Sequence, residues 1–242
     1  HSRDEVSSPE PSELTQRINA ALEATQDDWE PHAIPSPSSV EQCRMRSWFL
    51  GKGYTRSERV PTRFILAAEQ GRVEESIVIP LLERLGRQIL GRSIAFSHPT
   101  FAPRGGTIDF LLLGNTIRQV CDVKRMGLRY YKDFVERGIS LARPDYYTQL
   151  QLYMAAFQAR GMIIALSADS SVLPWPLKHW PIWIEEIEPD IEWLESRVVR
   201  AGEILLSLNI DEPPAELRDF DPWHDKHPCS TICGFRALCK EA

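Results

Sequence analysis

The chain has 242 residues, and 43% of them are hydrophobic, so it can bury one large core or one core with a small appendage. It contains no apolar run of about 18 residues, and its first residues lack the apolar stretch of a signal peptide, so we expect no membrane span and a cytoplasmic location. The net charge of −6 argues at first against nucleic acid as a partner.

The negative charge is concentrated at the start of the chain. Residues 1–40 contain two basic and eight acidic side chains, whereas the remainder contains 26 of each. Because segments 1–11 and 25–37 are rich in proline, serine and acids, we predict a flexible acidic segment over 1–37 and one folded domain over 38–242. Six basic residues against two acidic ones in 41–65 indicate either a local basic surface or an ordinary solvated helix face.

Two helices are predicted at the start of the folded domain. Ser38 and Ser39 can cap the N-terminus of a helix that carries Cys43 and the apolar run 48–50. The spacing of apolar residues then predicts a long helix over 64–86. This helix contains three glutamates that could face a site, Glu69, Glu74 and Glu75.

A β-hairpin is predicted in the middle of the chain, after a short strand over 93–97. Two apolar runs, 108–113 and 117–123, flank the turn Gly114-Asn115. Antiparallel pairing of these runs would bring Asp109 and Asp122 together at one end of a sheet. Lys124 is two residues beyond Asp122 and therefore points to the same face.

Two carboxylates and an ammonium at one point suit a particular chemistry. Paired carboxylates hold a hard divalent cation such as Mg²⁺ or Mn²⁺, and the neighbouring ammonium of Lys124 can neutralise charge on a phosphate. The alternation of β-strand side chains places Cys121 on the opposite face from Asp122, where we expect a core position.

The next segment, 125–148, combines basic and aromatic side chains. This combination suits single-stranded nucleic acid, through phosphate contacts and base stacking, but it also fits a plain surface loop. Its members are Arg125, Arg129, Tyr130, Tyr131, Lys132, Arg137, Arg143, Tyr146 and Tyr147.

The rest of the domain is predicted as alternating helices and strands. A helix begins at Pro144 and runs to about residue 160, with Gln149 and Tyr153 on one face. Strands over 162–168 and 180–187 follow. Pro189 starts a final long helix, whose buried stripe is predicted to comprise Ile191, Leu194, Val198, Leu205 and Leu208.

Three of the five cysteines are clustered almost at the end of the sequence, at Cys229, Cys233 and Cys239. Soft thiolates select zinc or an iron–sulfur cluster, and a cubane needs a fourth ligand, for which Cys43 is the first candidate. The residues alone leave two alternatives to a cluster. These are a zinc site in which His224 and His227 also serve as ligands, and a site without metal.

The ordered set of motifs resembles the PD-(D/E)XK nuclease superfamily, with its RecB-type branch indicated by Gln149-x-x-x-Tyr153. The resemblance implies a restriction-endonuclease-like α/β core, a mixed β-sheet flanked by helices. It implies that Asp109, Asp122 and the backbone carbonyl of Val123 bind Mg²⁺ or Mn²⁺, that Lys124 is catalytic, and that Gln149 and Tyr153 guide DNA.

The helical metal ligand departs from that family's pattern. RecB-type nucleases have Gly-x-x-x-His in the long helix, whereas this chain has Gly71-x-x-x-Glu75. A carboxylate suits Mg²⁺ or Mn²⁺ at least as well as an imidazole, so Glu75 is predicted as the ligand. Glu74 and Glu69 are the alternatives.

The cysteines resemble those of iron–sulfur RecB-type nucleases, namely the CRISPR-associated Cas-four family and AddB-type domains. The resemblance implies a [4Fe–4S] cluster held by Cys43, Cys229, Cys233 and Cys239, which ties the first helix of the domain to the C-terminus. Three residues separate the first clustered pair, where that family usually has two.

The resemblance therefore implies a metal-dependent deoxyribonuclease acting on single-stranded DNA as an exonuclease, with 5′→3′ polarity favoured. CRISPR spacer processing with integration proteins, or DNA recombination and repair, is the implied context. The alternatives are a structure-specific endonuclease of the same superfamily and a non-catalytic DNA-binding scaffold.

Overall fold

The computed structural model describes residues 12–13, 16–17, 20–21, 35–54, 62–114, 117–168, 181–219 and 235–241. Over these residues a β-sheet is flanked by α-helices. The strands are β1 (Gln88–His98), β2 (Ala102–Leu113), β3 (Arg118–Met126), β4 (Arg160–Ser167) and β5 (Ile182–Ile187). The helices are α1 (Arg44–Gly51), α2 (Thr62–Arg84), α3 (Leu128–Arg137), α4 (Ile139–Ala142), α5 (Pro144–Phe157), α6 (Ile191–Ser207) and α7 (Arg236–Glu241), with a 3₁₀ turn at Ala215–Leu217.

The sheet is mixed, and its strand order is the same as the order along the chain. Strands β1, β2 and β3 pair antiparallel, β3 pairs with β4 in parallel, and β5 returns antiparallel to β4. The parallel step needs a crossover, which α3, α4 and α5 supply. The predicted mixed α/β sheet flanked by helices is confirmed.

The hairpin between β2 and β3 sets the register of the site. Gly114 N–H donates to the carbonyl of Ile117 at 2.9 Å, and the ladder runs from Leu113 opposite Arg118 to Phe110 opposite Cys121. One further step of the same register places Asp109 opposite Asp122. The predicted hairpin is confirmed.

Each face of the sheet has its own core. Helix α2 covers one face, where Val78 and Leu82 pack with Phe110, Cys121 and Val123. Helices α3 to α5 cover the other face, with a core that includes Val120, Tyr131, Phe134, Leu150 and Ile163. Because side chains alternate along β3, Asp122 and Lys124 lie on the α5 face.

The first helix of the domain packs against the last. Helix α1 places Trp48 and Phe49 in a buried cluster, and Phe49 stacks on Phe235 with ring centroids 5.6 Å apart. Trp48 Nε1 donates to the carbonyl of Ser207 at 2.9 Å, which fixes α1 to the end of α6. The two ends of the domain therefore meet in this cluster.

Several local predictions need correction. Ser39 does not cap α1, because it accepts a hydrogen bond from Ser36 N–H within a preceding turn, and the helix begins after Cys43. Segment 125–148 is not a loop, since most of it forms the end of β3 and three helices. The predicted stripe of α6 is wrong at Ile191, which is exposed, while Ala201 and Ile204 are buried.

A search of the described helices found none with the length and apolar character needed to span a membrane.

Candidate active site

The two aspartates of the hairpin come together across β2 and β3. Asp109 Oδ2 accepts a hydrogen bond of 2.7 Å from the backbone N–H of Val123, the residue after Asp122. The Asp122 carboxyl is 1% exposed and close enough to Asp109 for their charges to act on each other. The hairpin register thus joins acids that are 13 positions apart in the sequence.

Lys124 completes the cluster on the same face of β3. Its Nζ donates to Asp122 Oδ1 at 2.9 Å, and its side chain is 18% exposed. Burial alone would lower the pKa of Lys124, but the attraction of Asp122 and Asp109 raises it above its ordinary value. The ammonium therefore stays charged at neutral pH.

Asp122 carries two signs of an unsatisfied acceptor. Burial, opposed by Lys124 and reinforced by Asp109, raises the pKa of Asp122 to about 7. Its second oxygen, Oδ2, is buried and has no hydrogen-bond partner among the described atoms. A buried carboxylate oxygen without a donor is costly, and a divalent cation held by Asp122 and Asp109 would satisfy it.

The helical acids are placed on α2, which covers the opposite face. Glu74 aligns with buried Val78 and Leu82, and its Oε1 lies 3.4 Å from Arg125 Nε. Burial raises the pKa of Glu74 despite that arginine, and its Oε2 has no partner in the described part of the chain. Glu75 is the next residue and is half-buried.

Glu75 stays a predicted metal ligand. Within the described ranges, no three histidine, cysteine, aspartate or glutamate side chains are grouped closely enough to hold a metal ion. Asp109 and Asp122 alone still fit Mg²⁺ or Mn²⁺, because these ions are often bound through one or two carboxylates and water. The side chain of Glu69 lies outside the described residues.

Gln149 and Tyr153 meet on α5, as their spacing of four predicts. Gln149 Nε2 donates to the Tyr153 hydroxyl at 2.7 Å. Burial and the charge of Asp122 raise the pKa of Tyr153, so its phenol lies beside the acidic cluster. The ring is 5% exposed and packs edge-to-face on Phe96, which leaves the half-buried Gln149 as the more accessible partner.

A row of cations and rings extends outward from Lys124. Lys124 Nζ lies 5.0 Å from the Tyr146 ring centroid, and Arg143 Cζ lies 3.7 Å from the same centroid and 5.0 Å from that of Tyr130. The composition of 125–148 indicated such side chains, but the pairing depends on the turn between α4 and α5. No spacing in the sequence could have shown it.

Two of the four predicted cluster cysteines are brought together. Cys43, just before α1, and Cys239, in α7, are buried members of one cluster. Cys229 and Cys233 lie outside the described residues. Cys121 is buried beneath α2, as predicted, and burial raises the pKa of its thiol.

Comparisons with known proteins identify the fold. No family model and no curated protein matches the sequence. The structure of SSO0001 has a TM-score of 0.53 at 14% identity, over 92% of this chain and 96% of that one. An alkaline exonuclease from Laribacter hongkongensis, LHK-Exo, has a TM-score of 0.51 at 16% identity, over 82% of this chain and 94% of that one.

A second structure of LHK-Exo, in complex with dAMP, has a TM-score of 0.51 at 17% identity, over 75% of this chain and 88% of that one. At these identities the likeness shows a shared fold. The chain therefore shares the mixed α/β fold of SSO0001 and LHK-Exo over most of its length.

Proposed function

We propose that this protein is a divalent-metal-dependent deoxyribonuclease. The observation that carries the proposal is the cluster of Asp109, Asp122 and Lys124, in which a buried carboxylate oxygen has no partner. The cluster lies on a fold shared with an alkaline exonuclease. Two acids and an ammonium at a strand end suit phosphodiester hydrolysis better than any other chemistry the site could support.

Asp109 and Asp122 would hold Mg²⁺ or Mn²⁺, with the Val123 carbonyl and Glu75 as further ligands taken from the sequence pattern. Bound there, the ion would lower the pKa of a water molecule and polarise the scissile phosphate. The Val123 N–H holds Asp109 in place from the side, because it donates to Oδ2 at 2.7 Å. This hydrogen bond orients the carboxylate before any substrate arrives.

Lys124 has the role of a fixed cation. Its ammonium is held 2.9 Å from Asp122 Oδ1 and remains charged at neutral pH. When a phosphate occupies the site, the same ammonium can donate to the phosphoryl oxygens and stabilise the charge that develops on them. Gln149, oriented by Tyr153, is proposed to contact the DNA strand next to this point.

A single-stranded DNA exonuclease is the form of this activity that we favour, with 5′→3′ polarity. The row of Lys124, Tyr146, Arg143 and Tyr130 supports a single-stranded substrate, because cations and rings together suit a flexible strand. The context proposed is CRISPR spacer processing, or DNA recombination and repair, as the sequence resemblance implies.

A [4Fe–4S] cluster is proposed as a structural link. The proposal is supported by Cys43 and Cys239, which come from opposite ends of the domain and belong to one buried cluster. Cys229 and Cys233 are proposed as the remaining ligands. A cubane held in this way would stabilise the contact between α1 and α7 and would need no redox activity.

The proposal is tested with an anaerobic preparation incubated with Mn²⁺ and end-labelled single- or double-stranded DNA. We expect release of short products from linear single strands and no cleavage of circular single-stranded DNA. Cleavage of the circle would identify an endonuclease instead. Binding without cleavage of any substrate would identify a scaffold. Iron content and absorbance near 400 nm, measured on the same sample, test the cluster separately.

A further inference from the structure

Arg143 is held between two aromatic rings beside the proposed catalytic lysine. Its guanidinium carbon lies 3.7 Å from the Tyr146 ring centroid and 5.0 Å from that of Tyr130. Its backbone N–H donates to the Ile139 carbonyl at 2.8 Å, and its carbonyl accepts from the N–H of Tyr146 at 3.0 Å. Both ends of the residue are thus fixed at the junction of α4 and α5.

The charge of Arg143 is only partly neutralised. Asp145 accepts hydrogen bonds from Nε at 2.9 Å and from Nη2 at 2.6 Å, which leaves the Nη1 edge of the planar fork outside that ion pair. Burial alone would lower the pKa of Arg143, but the hydrogen bonds and charges of Asp145 and Tyr146 raise it, so the cation is permanent. The Asp145 side chain is 42% exposed, so solvent weakens the pair and an incoming anion can compete with it.

The position of this cation relative to Lys124 limits what it can contact. Lys124 Nζ and Arg143 Cζ lie 5.0 Å and 3.7 Å from the same Tyr146 centroid, so the two cations are within about 9 Å of each other. Two cations at this separation match two nearby phosphates of one nucleic-acid strand, and a guanidinium already held on a ring loses little entropy on binding.

We propose that Arg143 binds an internal phosphodiester of the DNA strand. This phosphodiester is the neighbour of the phosphodiester on which Lys124 acts. Tyr146 and Tyr130 are positioning residues that hold the guanidinium in place. The inference rests on the proposed function, because it assigns the strand-binding residue of that same site.

The test is equilibrium binding of a fluorescent 20-nucleotide single strand, with hydroxyl groups at both ends and Ca²⁺ in place of Mn²⁺ to prevent cleavage. Arg143→Ala should weaken binding about tenfold, the size expected for one charged hydrogen-bonded contact. The slope of log affinity against log salt should fall by about 0.7, the value for one phosphate contact to a single strand.

Arg160→Ala is the matched control. Arg160, at the start of β4, is also ion-paired, with its Nε 3.0 Å from Glu188 Oε2, but its side chain is 44% exposed and none of the described ring contacts involves it. Its removal should leave affinity and salt slope within about twofold of the wild type. Arg143→Lys keeps the charge but lacks the planar guanidinium, so its affinity for the single strand should be about threefold lower than that of the wild type. If Arg143→Ala fails to fold, Arg143→Lys and Tyr130→Ala, at a half-exposed ring, provide the test.

Cleavage by the wild-type protein, measured with Mn²⁺ on the same preparation, separates the two claims. If the wild type cleaves DNA but Arg143→Ala binds with unchanged affinity and salt slope, the inference is overturned and the proposed function stands. A loss seen only with oligonucleotides that carry terminal phosphates would overturn the assignment to an internal phosphodiester. A wild type that neither binds nor cleaves DNA would overturn both.

Discussion

Lys124 Nζ donates a 2.9 Å hydrogen bond to one oxygen of Asp122, while the other oxygen of that carboxylate, Oδ2, is buried without a described partner. The carboxyl is therefore only half satisfied in the folded protein. Such an arrangement costs stability when the group is charged, and it is useful where a cation or a proton has to bind. The first prediction follows from this cost.

In metal-free buffer, the free energy of unfolding should fall as pH rises from about 5 to about 8. The pKa of Asp122 is about 7 in the folded protein, above its ordinary value of 3.8, so in that range the folded state holds a proton that the unfolded state has released. Stability is thus greatest at low pH and is lost as pH rises through 7. Urea unfolding at several pH values, with EDTA, measures this dependence.

Asp122→Asn should remove most of this pH dependence. The free energy of unfolding of the variant minus that of the wild type should therefore increase by about 2 kcal/mol between pH 5 and pH 8. Adding Mg²⁺ at pH 8 should stabilise the wild type but not the variant, because only the carboxylate binds the ion. Parallel pH curves for the two proteins would show that Asp122 is not the titrating group.

The two neighbouring glutamates of α2 should respond differently to substitution. Glu75→Gln should lower the Mn²⁺-dependent cleavage rate by about 10- to 100-fold, the range expected for an altered metal environment, and should raise the Mn²⁺ concentration needed. Glu74→Gln should have a smaller effect, since its carboxylate pairs with Arg125. Cleavage rates of the two variants are measured as a function of Mn²⁺ concentration. A larger effect of Glu74→Gln than of Glu75→Gln would identify Glu74 as the helical metal ligand.

Tyr153→Phe should weaken catalysis without unfolding the protein. The change removes the hydroxyl that accepts the 2.7 Å hydrogen bond from Gln149, while the buried ring keeps its contact with Phe96. One neutral hydrogen bond corresponds to a loss of about 3- to 10-fold in kcat/KM. Tyr54→Phe, at a half-exposed ring beside α1, is the control. Equal kinetics for both variants would show that Gln149 needs no orientation.

Asp219 should be needed to hold Cys43 in place. It accepts from the N–H of Arg44, the residue after Cys43, at 2.8 Å and from Arg200 Nη2 at 2.6 Å; Arg200 also donates to the Gln42 carbonyl at 3.0 Å. Burial alone would raise the pKa of Asp219, but these donors lower it. Asp219→Asn should reduce the free energy of unfolding by about 2 kcal/mol, since a partly buried charge network is broken.

Iron content per chain should also fall in Asp219→Asn, because the Arg44 contact next to Cys43 is weakened and Arg200, which binds the Gln42 carbonyl, loses its charged partner. Asp211→Asn is the control, since Asp211 is fully exposed and lies 3.4 Å from Lys52. Iron analysis and absorbance near 400 nm on anaerobic samples measure the effect. Full iron content in the destabilised Asp219→Asn variant would show that this network does not position a cluster ligand.

The sequence predicted the hairpin well because its signals are local. A Gly-Asn turn between two apolar runs determines an antiparallel register, and that register determines that Asp109 and Asp122 meet. The relation of Lys124 to Asp122 follows from alternation along a strand. Both depend only on a few consecutive residues.

The faces of the helices were less predictable. Val73, Ile77 and Leu81 recur at helical spacing on α2 but are exposed, whereas the stripe against the sheet includes Glu74. Apolar residues lie on more than one side of this helix, so their spacing indicates a helix without choosing the buried side. The Arg143 stack depends on how α4 meets α5, which is a tertiary relation.

The most direct test of the central claim is cleavage of end-labelled single-stranded DNA with Mn²⁺ by the wild type and by Asp122→Ala, Lys124→Ala and Arg160→Ala. Arg160 is a control cation at the start of β4, where it pairs with Gln119, whereas Lys124 pairs with Ala165 further along the strand. We predict that the first two substitutions reduce the single-turnover rate at least about 1000-fold, with unchanged circular dichroism, while Arg160→Ala cleaves normally. Wild-type rates in both Asp122→Ala and Lys124→Ala would contradict the account.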